Sequence, residues 1–86
     1  MKYPPTFNPN VVFKRLGERM VLIHLETNQV YEFNSTAARI WEMLEAGALE
    51  DEIAQRLSAE FEVAPEQLKQ DVSDLLHELA VNGLIS

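Results

Sequence analysis

The side chains with the widest chemical reach in this 86-residue sequence are two histidines, His24 and His77. Neither stands at a recognisable ligand spacing. His77-Glu78 begins like the helix of a zinc protease, in which two histidines one turn apart hold the metal and the glutamate between them acts as base, but Val81 occupies the second histidine's position. The chain has no cysteine, which removes thiolate metal sites, disulfides and a thiol nucleophile together. Ser35 has no histidine close in sequence to take a hydroxyl proton, and Ser73, four residues before His77, has no acid-base-nucleophile motif around it. The three glycines, Gly17, Gly47 and Gly83, are isolated and form no phosphate-cradling loop. These residues predict no catalytic centre, no metal site and no cofactor, and hence a protein that is not an enzyme.

Two features could serve binding instead. Trp41 could stack on a ligand, although its place on the apolar stripe of a predicted helix suits a core anchor. Glu66, Asp71, Asp74 and Glu78 recur along another predicted helix, where they form either a solvated face or an attraction for a basic partner. The net charge of −7 is unevenly placed. Residues 1 to 33 carry four cations and three acids, whereas residues 34 to 86 carry Arg39, Arg56 and Lys69 against eleven acids, a charge of −8. That half repels phosphate, and no predicted helix offers the basic face that a DNA groove requires, so no nucleic-acid partner is expected.

The elements that position these residues follow from hydrophobic periodicity. Met1 to Asn10 contains Pro4, Pro5 and Pro9 and no periodic pattern, and reads as an extended arm (1–10) leading into one domain (11–86). Val11 to Phe33 holds three β-branched and aromatic runs, separated at Leu16-Gly17-Glu18 and Glu26-Thr27-Asn28, where Gly17 and Asn28 can take the positive φ of a hairpin turn. A three-stranded antiparallel meander is predicted. After Phe33 the period lengthens to 3.6. A first helix, capped by Asn34 or Ser35, carries Ala37, Ile40, Trp41 and Leu44; a second begins near Leu49 with Ile53, Leu57 and Phe61 on one stripe. A third opens at Pro65, carries Leu68, Val72, Leu75, Leu76 and Leu79, and stops at Asn82-Gly83. The fold class expected is α+β, a winged helix-turn-helix-like meander followed by three helices. No run of about 18 apolar residues occurs and the first ten residues lack a signal-peptide core, so neither membrane insertion nor export is expected and a cytoplasmic location is.

Several fragments together resemble a known family. Val30-Tyr-Glu-Phe-Asn34 is followed by Ser35-Thr-Ala-Ala-Arg-Ile-Trp41 and Gly47, then by Glu52-Ile-Ala-x-x-Leu57, and by Asp71-Val-x-x-Leu-Leu-x-x-Leu79 ending in Asn82-Gly-Leu-Ile85. Their order and spacing are similar to those of the PqqD-like family, the RiPP recognition elements, which bind leader segments of ribosomally made peptides. The resemblance covers nearly the whole chain. Phe33 departs from it, since leucine is more usual there, but both are apolar and of core size. The resemblance implies that a leader peptide adds as a strand beside the third strand, at Gln29, Val30, Tyr31, Glu32 and Phe33, and lays side chains into a groove against the third helix.

The residues agree with that implication. Pro9, Lys14 and Arg15 guard the first strand against edge pairing, whereas Gln29 to Phe33 contains neither proline nor lysine. On the third helix Lys69, Val72 and Leu76 are the expected groove residues, with Leu75 and Leu79 assigned to the core. A free-standing chain of this kind resembles the partner protein of lasso-peptide pathways, which hands its precursor to a leader peptidase and then a cyclase. The alternatives are a pyrroloquinoline quinone-type peptide chaperone and an acidic winged-helix adaptor for another folded protein.

Overall fold

A computed structural model describes residues 6–85; Met1 to Pro5 of the predicted arm, and Ser86, lie outside the described residues. The elements run β1 (Val11–Leu16), β2 (Arg19–His24), β3 (Gln29–Phe33), α1 (Ser35–Glu45), α2 (Glu50–Phe61) and α3 (Pro65–Val81). The architecture is the predicted α+β one, an antiparallel sheet of order β1-β2-β3 followed by three helices. Gly17 and Asn28 take φ of 63° and 60° in the two hairpin turns, the left-handed geometry that tightens such connections.

Alternation along the central strand decides which face meets the core. Met20, Leu22 and His24 are buried, whereas Ile23 is exposed and Val21 half-buried. Because cross-strand partners share a face, Phe13 and Arg15 of β1 and Tyr31 and Phe33 of β3 stand on the inner side with Leu22 and Met20. The helices cover that side. Trp41 of α1, almost fully buried, meets the edges of three phenylalanine rings, Phe7 at 4.9 Å, Phe13 at 5.8 Å and Phe33 at 6.1 Å between centroids. Edge contacts of this kind add about 0.5–1.5 kcal/mol each beyond area burial, so Trp41 is a core anchor, not a ligand platform.

Each helix end follows from a local cause. Asn34 Oδ1 accepts the Ala37 amide at 2.9 Å and caps α1. At α2 the Glu52 carboxylate reaches back to the Leu49 amide at 3.1 Å, and three acids fill the first turn, where the helix dipole favours them. Glu62, at φ 54°, ends α2 in the left-handed region. Phe61, the last residue of α2, is exposed, whereas Ile53 and Leu57 of the same stripe are buried. Pro65 occupies the first turn of α3, where its missing N–H costs nothing.

The described part of the arm is tied down. Phe7 bridges to Ile85, the Asn8 amide N–H donates to Leu84 O at 3.1 Å, and Asn8 Nδ2 donates to Gly83 O at 2.9 Å. Across the sheet, Arg15 reaches Glu42 of α1 at 3.0 Å and joins β1 to the helical layer.

Candidate peptide-binding site

β3 is an edge strand, and the direction of its backbone groups can be derived. The Leu25 amide donates to Asn10 O on the β1 side at 2.8 Å. Successive residues of a strand turn their N–H and C=O groups to opposite sides, so His24, Leu22 and Met20 turn theirs toward β3. Their partners Gln29, Tyr31 and Phe33 turn back toward β2. Val30 and Glu32 therefore turn their N–H and C=O groups to the outer edge, where no strand of the described residues pairs with them. Both point outward, because residues two apart share a direction.

Where β3 runs into α1 the surface opens into a cavity of about 270 Å³ lined by Asn34, Thr36, Ala37, Ile40, Asp71 and Leu75. The volume lies just below the usual range of small-molecule pockets. Its floor is apolar through Ala37 and Ile40. Its α3 wall combines half-buried Leu75 with Asp71, whose carboxylate accepts from Gln67 Nε2 at 3.0 Å. Tyr31, half-buried on the inner face of β3, packs against the core and donates its hydroxyl to Gln29 Oε1 at 2.7 Å.

The expected residues separate on this geometry. Gln29, Val30, Tyr31, Glu32 and Phe33 form the edge strand, as the sequence predicts, although Phe33 is buried in the core. The α3 residues divide by burial. Val72 and Leu76 are buried at 0% and 4% exposure and belong to the core, so neither presents a groove surface. Lys69 is exposed but lies about 160° around the helix from Asp71, at roughly 100° per residue, on the flank away from the cavity. Leu79 is core as expected, whereas Leu75, assigned to the core by sequence, lines the cavity. Asp71, Thr36 and Ala37 are further cavity residues that the strand and helix pattern did not single out for the site.

Among the described residues no group of three His, Asp or Glu side chains is placed to hold a metal ion, and no helix is long and apolar enough to cross a membrane. His24 is buried under the arm with Asn8 Nδ2 3.3 Å from Nε2 and the Glu26 amide 3.3 Å from Nδ1, a structural placement.

No curated protein sequence matches the chain. Two solved structures are similar over nearly its whole length. One, TbiB1 in complex with the TbiA(beta) leader peptide, is 30% identical, with a TM-score of 0.88 and 94% of each chain covered. The other, a lasso peptide synthetase B1 complexed with the leader peptide, is 26% identical, with a TM-score of 0.90, and covers 96% of this chain and 98% of that one. The sequence profile of the family described as Coenzyme PQQ synthesis protein D (PqqD) matches residues 19–85, from the first residue of β2 to the bridge at Ile85. A match over that much of the chain, on the same strands and helices that build the edge and its cavity, makes this chain a member of the PqqD family, of the RiPP recognition element type.

Proposed function

We propose that this chain is a non-catalytic carrier that captures the leader segment of a ribosomally made precursor peptide and presents it to the enzymes that process it. The observation that carries the reading is the free β3 edge leading into a side-chain-sized cavity at α1 and α3. Strand addition obtains affinity from main-chain hydrogen bonds with little sequence demand, and the cavity adds selectivity for one or two side chains. The two similar solved structures are both leader-peptide complexes, and one belongs to a lasso-peptide system. A lasso precursor is thus favoured over a pyrroloquinoline quinone precursor as cargo, with a leader peptidase and a cyclase as the receiving enzymes.

Fluorescence anisotropy with a dye-labelled leader, encoded in the same gene cluster, tests the reading, with a scrambled leader and a DNA duplex in parallel. Saturable binding of the leader alone is expected. If the leader fails to bind below about 100 μM, an affinity of only about −5.5 kcal/mol, the carrier reading is wrong.

A further inference from the structure

The helices cover one side of the sheet and leave the other bare. On that outer face Val12, Ile23 and Val30 form one cross-strand row, and Lys14, Val21 and Glu32 form the next. Val12, Leu16 and Val30 are 46%, 51% and 61% exposed, and a depression of about 240 Å³ is lined by Val12, Lys14, Leu16, Val21 and Ile23 of this face together with Phe13 at the β1 edge. Apolar side chains in such a contiguous group are the signature of an interaction surface. Lys14 and Glu32 make no ion pair among the described residues.

We propose that this face is self-complementary and that two copies of the chain associate through it, about a two-fold axis parallel to β2. Such an axis lays β1 of one copy over β3 of the other while keeping every row in register. The row Lys14-Val21-Glu32 then meets Glu32-Val21-Lys14 of the second copy, which forms two symmetric ion pairs flanking a valine contact. The row Val12-Ile23-Val30 meets Val30-Ile23-Val12, apolar throughout. An axis perpendicular to the strands through this same row would set Lys14 against Lys14 and Glu32 against Glu32, whereas the parallel axis pairs opposite charges, so charge favours the parallel one. Arg19, at the hairpin end of β2, lies near its own mate in this arrangement, a like-charge contact that limits the affinity. The charge distribution also favours the sheet face, since the −8 of residues 34–86 sits largely in the helical layer on the other side.

Three short strands offer less than the roughly 1,200 Å² of a stable interface, so the pair is transient, with a dissociation constant in the range of about 0.1–1 mM. The β3 edge stays open in it.

Sedimentation equilibrium over a concentration series reaching about 2 mM reads the association, with circular dichroism to check the fold of each variant. Lys14→Glu and Glu32→Lys should each weaken dimerisation at least about fivefold, since symmetry turns two attractive pairs into two repulsive ones. The double variant Lys14→Glu/Glu32→Lys should recover to within about threefold of the wild type. The neutral variants Lys14→Gln and Glu32→Gln, which leave the strands intact, should fall between. A wild-type chain that stays monomeric throughout overturns the proposal and leaves the face to a different protein. A dimer indifferent to the charge swaps, or not restored by the double swap, overturns it equally.

Discussion

Leu75 and Leu76 are neighbours in sequence with opposite fates: Leu76 is sealed in the core, and Leu75 is half-exposed on the cavity wall. Replacing each by alanine separates folding from binding. Leu76→Ala should lower the unfolding free energy by about 2–5 kcal/mol while the folded fraction keeps its leader affinity. Leu75→Ala should cost less stability and lower leader affinity by about 1–2 kcal/mol, as expected for truncating a contact buried only in the complex. Denaturant unfolding and leader titration on the same preparations check both outcomes; equal affinity for wild type and Leu75→Ala would remove the cavity from the site. Periodicity alone ranks these two residues poorly. It identifies the apolar stripe of α3, but both leucines lie on its margins, and which margin faces β3 depends on the turn at Glu62 to Ala64 that sets how α3 leaves α2.

At the scale of elements, the sheet was the more legible part. Val11 to Phe33 alternates clearly, and Gly17 and Asn28 mark turns that no β-branched residue would fill, so three strands and their order were readable directly. The direction of β3's backbone groups was not readable, because it depends on the register with β2. With that register in hand, Val30→Pro and Glu32→Pro each remove an N–H that an incoming strand would use, a loss of about 1 kcal/mol or roughly fivefold in affinity. Both should remain folded, since proline is tolerated on an edge strand when its nitrogen faces outward. Tyr31→Pro, by contrast, removes a rung shared with Leu22 and should unfold the sheet before any binding defect can be read. If the Val30 and Glu32 variants fold and bind with unchanged affinity, the leader does not add to this edge.

For the whole molecule, charge is the property that composition alone delivered, and it acts at long range. The acids of the helical half should draw in a basic leader, so its association rate should fall as salt is raised from about 50 to 500 mM while the equilibrium affinity changes less. Stopped-flow fluorescence measures this, and a rate independent of salt would deny the acidic layer any part in capture. The pairing of the arm with the last residues was invisible to sequence reading, since a contact between positions 75 residues apart leaves no periodic trace. That same separation has a kinetic consequence. Closing so long a loop is entropically expensive, so the Asn8–Gly83 clasp should form after the folding barrier has been crossed. Asn8→Ala should therefore steepen neither arm of the chevron and leave the folding limb in place, while raising the unfolding limb several-fold, by about 1 kcal/mol of lost hydrogen bonding. The clasp acts as a brake on unfolding, setting how long a native molecule lasts, with no part in how quickly it is made.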